Sequence, residues 1–179
     1  IGRKVAAVAE AIGCNVLVYR RKPDPYYETA DLDTLLRRSD VVSIHLPLTE
    51  QTRGILSRDK IALMKKNAIL VNVARGAVTD EAALADAIAA GELGGLGVDV
   101  FSTEPLPADH PYSRIMDRPN VIFTPHCAWS AQEARDRCVR EVAENIHAFA
   151  QGKKRNRCLC IGQIIHNNRL MACLNQFYN

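Results

Sequence analysis

The sequence predicts an α/β protein built on a doubly wound parallel sheet with three layers. Three short apolar runs, at residues 68–73, 96–100 and 121–124, are typical of strands buried on both faces. A helical pattern at 79–91 separates the first two runs, and this order requires a right-handed crossover between parallel strands. Ligands of such sheets bind beyond the carboxyl ends of the strands, so we expect the functional residues there.

The first element is an alanine-rich helix at residues 5–12, which Gly13 ends. A helix of this kind normally follows a strand and a glycine-rich turn, and its N-terminus receives a pyrophosphate. Gly2 has the position of the last glycine in that turn, while the strand and the other glycines are absent. We therefore expect a sheet that is missing its first strand, in a chain that is a fragment.

The following elements alternate between strand and helix. We expect a strand at 15–19, an abbreviated extended segment at 26–31, a helix at 32–38 with Asp31 as its cap, a strand at 41–46 and a helix at 58–64.

Two further helices have terminal signals. Thr79 is the expected cap of the helix at 79–91, and Gly91 is expected to end it. Ser130 and Glu133 have the spacing of a capping box at the start of a long amphipathic helix that continues to residue 151.

One functional side chain follows each of three consecutive strands: Arg75, Glu104 and His126. The Arg75 guanidinium can hold a carboxylate through two parallel hydrogen bonds, and His126 can exchange a proton near neutral pH. Glu104, if bonded to the other ring nitrogen, would fix the tautomer and stabilise the cation. Singly, the three fit a surface arginine, a loop acid and a strand-end histidine. Jointly they suit a 2-oxo acid whose carbonyl is protonated as hydride arrives from a cofactor.

Several motifs resemble the Rossmann-like cofactor domain of the D-isomer-specific 2-hydroxyacid dehydrogenases over residues 1–157. They are HLPLT at 45–49, NVARG at 72–76, GVDVF at 97–101 and TPH at 124–126. Within that family, STEPL at 102–106, HCAW at 126–129 and EAR at 133–135 are most similar to glycerate dehydrogenases, which reduce hydroxypyruvate.

The resemblance implies an enzyme that transfers hydride between NAD(P)H and a 2-oxo acid such as hydroxypyruvate or glyoxylate. It implies that Arg75 clamps the substrate, His126 delivers the proton and Glu104 orients His126. His45 is expected to line the cofactor crevice. The residues expected to bind the cofactor are Ile1, Gly2, Arg20, Leu46, Val73, Arg75, Asp99 and His126. Among them, Leu46, Val73, Arg75 and Asp99 match cofactor-contacting positions of the family.

The residues after the strand at 15–19 bear on the choice between NAD and NADP. NAD-binding domains usually have an acidic residue there for the ribose hydroxyls, whereas this chain has Arg20, Arg21 and Lys22. Cations can pair with the 2′-phosphate of NADP, which favours NADP slightly. A solvated turn before Pro23 is nearly as good an explanation.

Composition is that of an ordinary soluble domain, with 47% hydrophobic and 24% charged residues. A net charge of +3 does not indicate a nucleic-acid partner, and no apolar stretch is long enough to span a bilayer. We expect a cytoplasmic protein, homodimeric at full length. The six cysteines are expected to be free thiols, and Cys158, Cys160, His166 and Cys173 do not have the spacing of a common zinc module.

Residues 158–179 match nothing in the family and form a separate tail, either lineage-specific or an artefact of a frame change. Because a substrate domain is missing, we expect weak or no turnover by the isolated chain. Two alternatives stay open: an NAD(H)-sensing, corepressor-like binding protein, whose family members retain the same three residues, and an inactive gene remnant.

Overall fold

The computed structural model of the chain describes residues 1–156. These residues form two units, Ile1–Ala128 and a second that starts at Trp129. In chain order the helices and strands are α1 Gly2–Ala11, β1 Leu17–Val18, β2 Glu28–Thr29, α2 Leu32–Arg38, β3 Val41–Ile44, α3 Arg58–Ile61, β4 Ile69–Asn72, α4 Glu81–Ala90, β5 Gly95–Val98, β6 Val121–Phe123 and α5 Gln132–Ala150. Two 3₁₀ helices lie at Gly76–Val78 and Pro111–Ile115.

All strand pairs in the described part of the chain are parallel. Strands β3, β4, β5 and β6 form one sheet in chain order, and β1 pairs with β2 in a second sheet. The predicted parallel sheet with helices between its strands is therefore confirmed. Among the described residues, β1 and β3 belong to different sheets and are not paired with each other.

The core lies between one face of the four-stranded sheet and helices α2, α3 and α4 with the second 3₁₀ helix. Register fixes this face, since Val42, Leu70 and Leu96 are direct neighbours across β3, β4 and β5, and all three are buried. The opposite face is more open, and the expectation of strands buried on both faces is wrong at three positions. Val41 is 59% exposed, Ile69 43% and Ile122 68%.

Helix α2 confirms its predicted cap, because the Asp31 carboxylate accepts from the Thr34 N–H at 2.9 Å. The predicted cap of α4 is wrong by one residue. Asp80 accepts from the Ala83 N–H at 2.9 Å, while the Thr79 hydroxyl donates to the Gly76 carbonyl at 3.0 Å. Thr79 is buried among the residues that lead into the helix, and this leaves the capping position to Asp80. Helix α4 ends as predicted, with Gly91 in the left-handed conformation at φ 70°.

Three other elements are shorter than predicted. Strand β1 keeps only two residues of the expected five, and both are half-buried. Helix α3 ends at Ile61, and a tighter turn follows in which the Met64 N–H donates to the Ile61 carbonyl at 3.0 Å. Helix α5 starts after Ala131 without a side-chain cap, so the predicted capping box is wrong.

Some expectations concern the C-terminal segment. The tail at 158–179 and the proposed thiol and zinc positions there, Cys158, Cys160, His166 and Cys173, lie outside the described residues. Within residues 1–156, Cys14 and Cys138 are exposed thiols. Over the same range there is no cluster of His, Cys, Asp and Glu that could hold a metal ion, and no helix long and apolar enough to cross a membrane.

Candidate active site

Three loops meet at one edge of the sheet because β4, β5 and β6 are adjacent and parallel. Their last residues are direct neighbours in register: Asn72 pairs with Val98, which pairs with Phe123. Arg75, Glu104 and His126 follow these ends, as the sequence predicts, and the loops that carry them leave the sheet side by side.

Glu104 and His126 are joined by a direct hydrogen bond. His126 Nδ1 lies 2.7 Å from Glu104 Oε2, and Glu104 Oε1 accepts from the Phe101 N–H at 2.9 Å. The bond with His126, followed by the bond from Phe101, lowers the pKa of Glu104 below its ordinary value. A Glu104 that is ionised at neutral pH keeps the proton of His126 on Nδ1. The other ring nitrogen, Nε2, is then the atom that can exchange a proton with a ligand.

Asp99 supports the loop that carries His126. Its carboxylate accepts from the Thr124 hydroxyl at 2.5 Å and from the N–H groups of Cys127 and Ala128 at 2.9 and 3.0 Å. Burial raises the pKa of Asp99, but these three hydrogen bonds outweigh burial and leave the pKa below its ordinary value. His126 has a positive φ of 51°, which is uncommon for a residue with a side chain. The bonds to Asp99 hold the backbone around it in this conformation.

Arg75 lies in the loop after β4, and its side chain is exposed. Buried Asn72 shapes this loop by donating to the Arg75 carbonyl and accepting from the Ala74 N–H, both at 3.0 Å. The Arg75 guanidinium donates to the Ala74 carbonyl at 2.6 Å. The next residue, Gly76, lies directly on the segment that leads to Glu104, since a Cβ atom there would be 2.1 Å from the Phe101 carbonyl carbon. The loops of Arg75 and Glu104 are thus in backbone contact.

The remaining residues predicted to bind the cofactor precede Arg75 in the same unit. Gly2 is the first residue of α1, and a Cβ atom at Gly2 would lie 3.4 Å from the Cβ of His45, so the start of α1 lies beside the end of β3. His45 is half-buried, which lowers its pKa, and the N-terminal amine adds to this. Ile1 is exposed, whereas Leu46 and Val73 are half-buried.

Arg20 is held by an acid that sequence analysis did not consider. Its guanidinium forms an ion pair with Asp24, four residues later, in the loop between β1 and β2. Asp24 also accepts from the Tyr26 N–H at 3.0 Å. That bond is the largest contribution to a pKa of Asp24 below its ordinary value. A carboxylate therefore lies beside the cations that follow β1.

The sequence also did not predict a buried polar cluster next to the Glu104 loop. Glu81 accepts from the Ser102 N–H at 2.9 Å and contacts the Ser102 hydroxyl, and it lies 3.1 Å from His110 Nε2. Glu81 lies in the first turn of α4, where an acidic residue is favourable whatever it contacts. The available signal was its spacing, because residue 81 shares a helical face with Leu84 and Ile88, both of which are fully buried.

Comparison with known proteins identifies the family of this domain. A family model, D-isomer specific 2-hydroxyacid dehydrogenase, NAD binding domain, matches residues 1–128. A glycerate dehydrogenase from Methylorubrum extorquens is 40% identical over 156 residues, which are 87% of this chain and 49% of that protein. A hydroxypyruvate reductase from Thermotoga maritima is 42% identical over 149 residues, 82% of this chain and 48% of that protein.

A solved structure is similar over the same extent. The D-lactate dehydrogenase with NAD+ from Lactobacillus jensenii superposes with a TM-score of 0.82 at 31% identity, over 89% of this chain and 52% of that one. The chain spans about half the length of the curated relatives it matches. By the family match, the identity to its members and the shared fold, the chain belongs to the D-isomer-specific 2-hydroxyacid dehydrogenases, in their NAD-binding domain.

Proposed function

We propose that this domain serves an enzyme that uses NAD(P)H to reduce a small 2-oxo acid, such as hydroxypyruvate or glyoxylate, reversibly to the D-2-hydroxy acid. The hydrogen bond between His126 and Glu104 supports this proposal most directly, since it joins a ring base and a carboxylate at the ligand-binding edge of an NAD-binding domain. The names of the relatives, glycerate dehydrogenase and hydroxypyruvate reductase, favour a small hydroxy acid.

His126 is the proton donor in the reducing direction of this proposal. Glu104 is bound at Nδ1, so the proton given to the substrate carbonyl leaves from Nε2, and the same atom takes it back in the oxidation. The Glu104 carboxylate orients the plane of the ring through this bond. When bound, the nicotinamide supplies the hydride.

Arg75 is proposed to hold the substrate carboxylate. Its planar fork can make two parallel hydrogen bonds, and the loop contact through Gly76 keeps it next to the segment of Glu104. The guanidinium would exchange its bond with the Ala74 carbonyl for the substrate oxygens. A lysine at this position retains the charge but not the fork, so Arg75→Lys should raise KM for the 2-oxo acid.

The start of α1 fits a dinucleotide. Gly2 supplies a first turn without a side chain, beside the carboxyl end of β3, and the N-terminal N–H groups of a helix attract phosphate oxygens. Arg20 and Arg21 after β1 favour NADP slightly, on the condition that Arg20 exchanges its pairing with Asp24 for the 2′-phosphate. Titration of the full-length protein with NADPH and NADH tests this, and a clear preference for NADH would reject the lean towards NADP.

The test of the reaction is turnover by the full-length protein encoded by the gene, followed by loss of NAD(P)H absorbance with hydroxypyruvate, glyoxylate and pyruvate. His126→Asn should lower kcat by about a hundredfold or more, because it removes the proton donor. The matched control is His147→Asn, which changes an exposed histidine of α5 that is bonded to Gln151. The proposal fails if His126→Asn turns over like the wild type, or if no 2-oxo acid is reduced.

The 179-residue chain alone is expected to show weak or no turnover. Reduction requires closure of two domains around the substrate to exclude water and align the reactants, and the chain matches about half of each relative. Rates comparable with those of ordinary dehydrogenases, measured on this chain alone, would contradict that expectation.

The predicted homodimer and the cytoplasmic location are part of the same proposal. Family membership supports a small-molecule substrate for the site. Light scattering of the full-length protein measures the mass in solution, and a monomer at all concentrations would reject the dimer. Fractionation of the source cells tests the location.

A further inference from the structure

Glu81 forms the centre of a buried cluster outside the proposed catalytic pair. Its Oε1 accepts from the Ser102 N–H, and its Oε2 is in contact with the Ser102 hydroxyl and with His110 Nε2. His110 Nδ1 in turn accepts from the Tyr112 N–H at 3.2 Å, which assigns the ring proton to Nε2. Three donors therefore point at a single carboxylate, as a buried charge requires.

The cluster fixes the segment that leads to Glu104 from two sides. On one side Glu81 holds both the backbone and the side chain of Ser102. On the other side Gly76 is so close that a Cβ atom there would be 2.2 Å from the Ser102 nitrogen. The Phe101 ring contacts the His110 ring edge-on, with centroids 6.3 Å apart. Residues 101 and 102 thus have little freedom to move.

We propose that Glu81 is a positioning residue, which holds Ser102 and thereby sets the turn in which Glu104 meets His126. The path is short, because Ser102 follows Phe101, whose N–H binds Glu104 Oε1, and precedes Glu104 by two residues. These contacts, from Glu81 to Ser102 and from Phe101 to Glu104, are present without a substrate. Their importance for turnover rests on the proposed function of the Glu104–His126 pair.

Replacement of Glu81 would leave this turn without its anchor. In Glu81→Ala the Ser102 N–H and the His110 Nε2–H lose a buried acceptor. Glu81→Gln retains one oxygen for Ser102 but presents an amide N–H₂ to the N–H of His110, so it satisfies the cluster only in part. The structure therefore predicts a graded series, wild type, Glu81→Gln and Glu81→Ala, in the geometry of the Glu104–His126 bond.

The experiment is a carbon-13 NMR titration of the Glu104 carboxyl group in the 179-residue chain, with the resonance assigned by Glu104→Gln. The hydrogen bonds from His126 and Phe101 lower the pKa of Glu104. A variant in which these bonds are lengthened or lost should therefore titrate Glu104 at a higher pH. We expect a rise of about half a pH unit or more in Glu81→Ala and a smaller rise in Glu81→Gln. Asp80→Ala is the matched control, since it removes the cap of the same helix but leaves the Ser102 contacts in place.

The outcomes separate the inference from the proposed function. If Glu81→Ala does not fold, Glu81→Gln and Ser102→Ala, which removes only the hydroxyl contact, decide instead. An unchanged Glu104 midpoint in folded variants overturns the positioning role, whatever the enzyme's activity. A raised midpoint in a full-length protein that reduces no 2-oxo acid rejects only the proposed function. In an active full-length enzyme, Glu81→Gln should lower kcat and alter its pH profile while KM for the cofactor stays the same.

Discussion

Replacement of Asp99 by asparagine should destabilise the Ile1–Ala128 unit by about 3 kcal/mol at neutral pH. Asp99 is buried, and its Oδ1 accepts from the Thr124 hydroxyl and the Cys127 N–H while its Oδ2 accepts from the Ala128 N–H. An asparagine oxygen can replace Oδ1 and keep two of these bonds. Its amide N–H₂ must then face the Ala128 N–H, so this donor loses its acceptor.

The magnitude follows from these three bonds. Loss of an acceptor for a buried N–H costs about 1–3 kcal/mol, and the two remaining bonds lose the charge that strengthens them. About 3 kcal/mol is a large part of the 5–15 kcal/mol that stabilises a typical domain. With a urea m-value of about 2 kcal/mol/M, the unfolding midpoint should fall by about 1.5 M.

The assay is urea unfolding of wild type and Asp99→Asn, followed by far-ultraviolet circular dichroism between pH 7 and pH 3. The folded-state pKa of Asp99 lies below its ordinary value of 3.8, so the charged carboxylate stabilises the fold above about pH 4. That advantage is lost as the pH falls through the folded-state pKa. The difference in urea midpoint between wild type and Asp99→Asn should therefore be constant from pH 7 to about pH 4 and become smaller below pH 4.

Two results would refute this reasoning. One is a midpoint in Asp99→Asn that matches the exposed control Asp117→Asn at pH 7. The other is a difference in midpoint between wild type and Asp99→Asn that grows as the pH falls. Protonation of a carboxylate that stabilises the fold in its charged form cannot make the wild type more stable. Amide exchange at Cys127 and Ala128 gives a local check, since both N–H groups should exchange faster in the variant.

Three further changes test the packing of the same unit. Gly76→Ala should destabilise it by about 3 kcal/mol or more, because the added Cβ would lie 2.1 Å from the Phe101 backbone. Gly97→Ala is the control in thermal melts, since a Cβ atom there meets only side-chain atoms, at 3.7 Å or more. Leu84→Ala should cost about 2–5 kcal/mol in urea unfolding, since Leu84 is fully buried, and a cost below about 1 kcal/mol would contradict its place in the core. Asp80→Ala should cost about 1 kcal/mol in the same assay through loss of the α4 cap, and an unchanged midpoint would reject Asp80 as the cap.

The proposed catalytic residues could be located from the sequence because their positions follow from local pattern and one topological rule. Arg75, Glu104 and His126 each come soon after a short apolar run, and parallel strands bring such positions to one edge. The parallel sheet and its helices are confirmed for this reason. The hydrogen bond between Glu104 and His126 goes beyond the pattern, because it depends on two loops 22 residues apart.

Features that depend on distant partners were not predictable in the same way. Glu81 and His110 are 29 residues apart, and no local rule pairs a residue near a helix start with a histidine before a proline. Asp24 lies in a loop whose return towards Arg20 has no periodic signal. The exposure of Val41 and Ile122 likewise depends on which face of the sheet the helices cover. An apolar, β-branched residue type indicates only that a residue belongs to a strand.

The three loops of the proposed site are held in place by the same kind of contact. Each loop is held by one buried side chain with oxygen acceptors: Asn72 for the loop of Arg75, Asp99 for that of His126, and Glu81 for that of Glu104. Asn72 lies at the end of β4 and Asp99 directly follows β5, so both hold loops from the sheet, whereas Glu81 acts from a helix. Exposed catalytic side chains gain precise placement when buried groups fix their backbone, since an unsatisfied buried acceptor or donor is costly. The proposed chemistry therefore depends on buried residues that hold the backbone of the site.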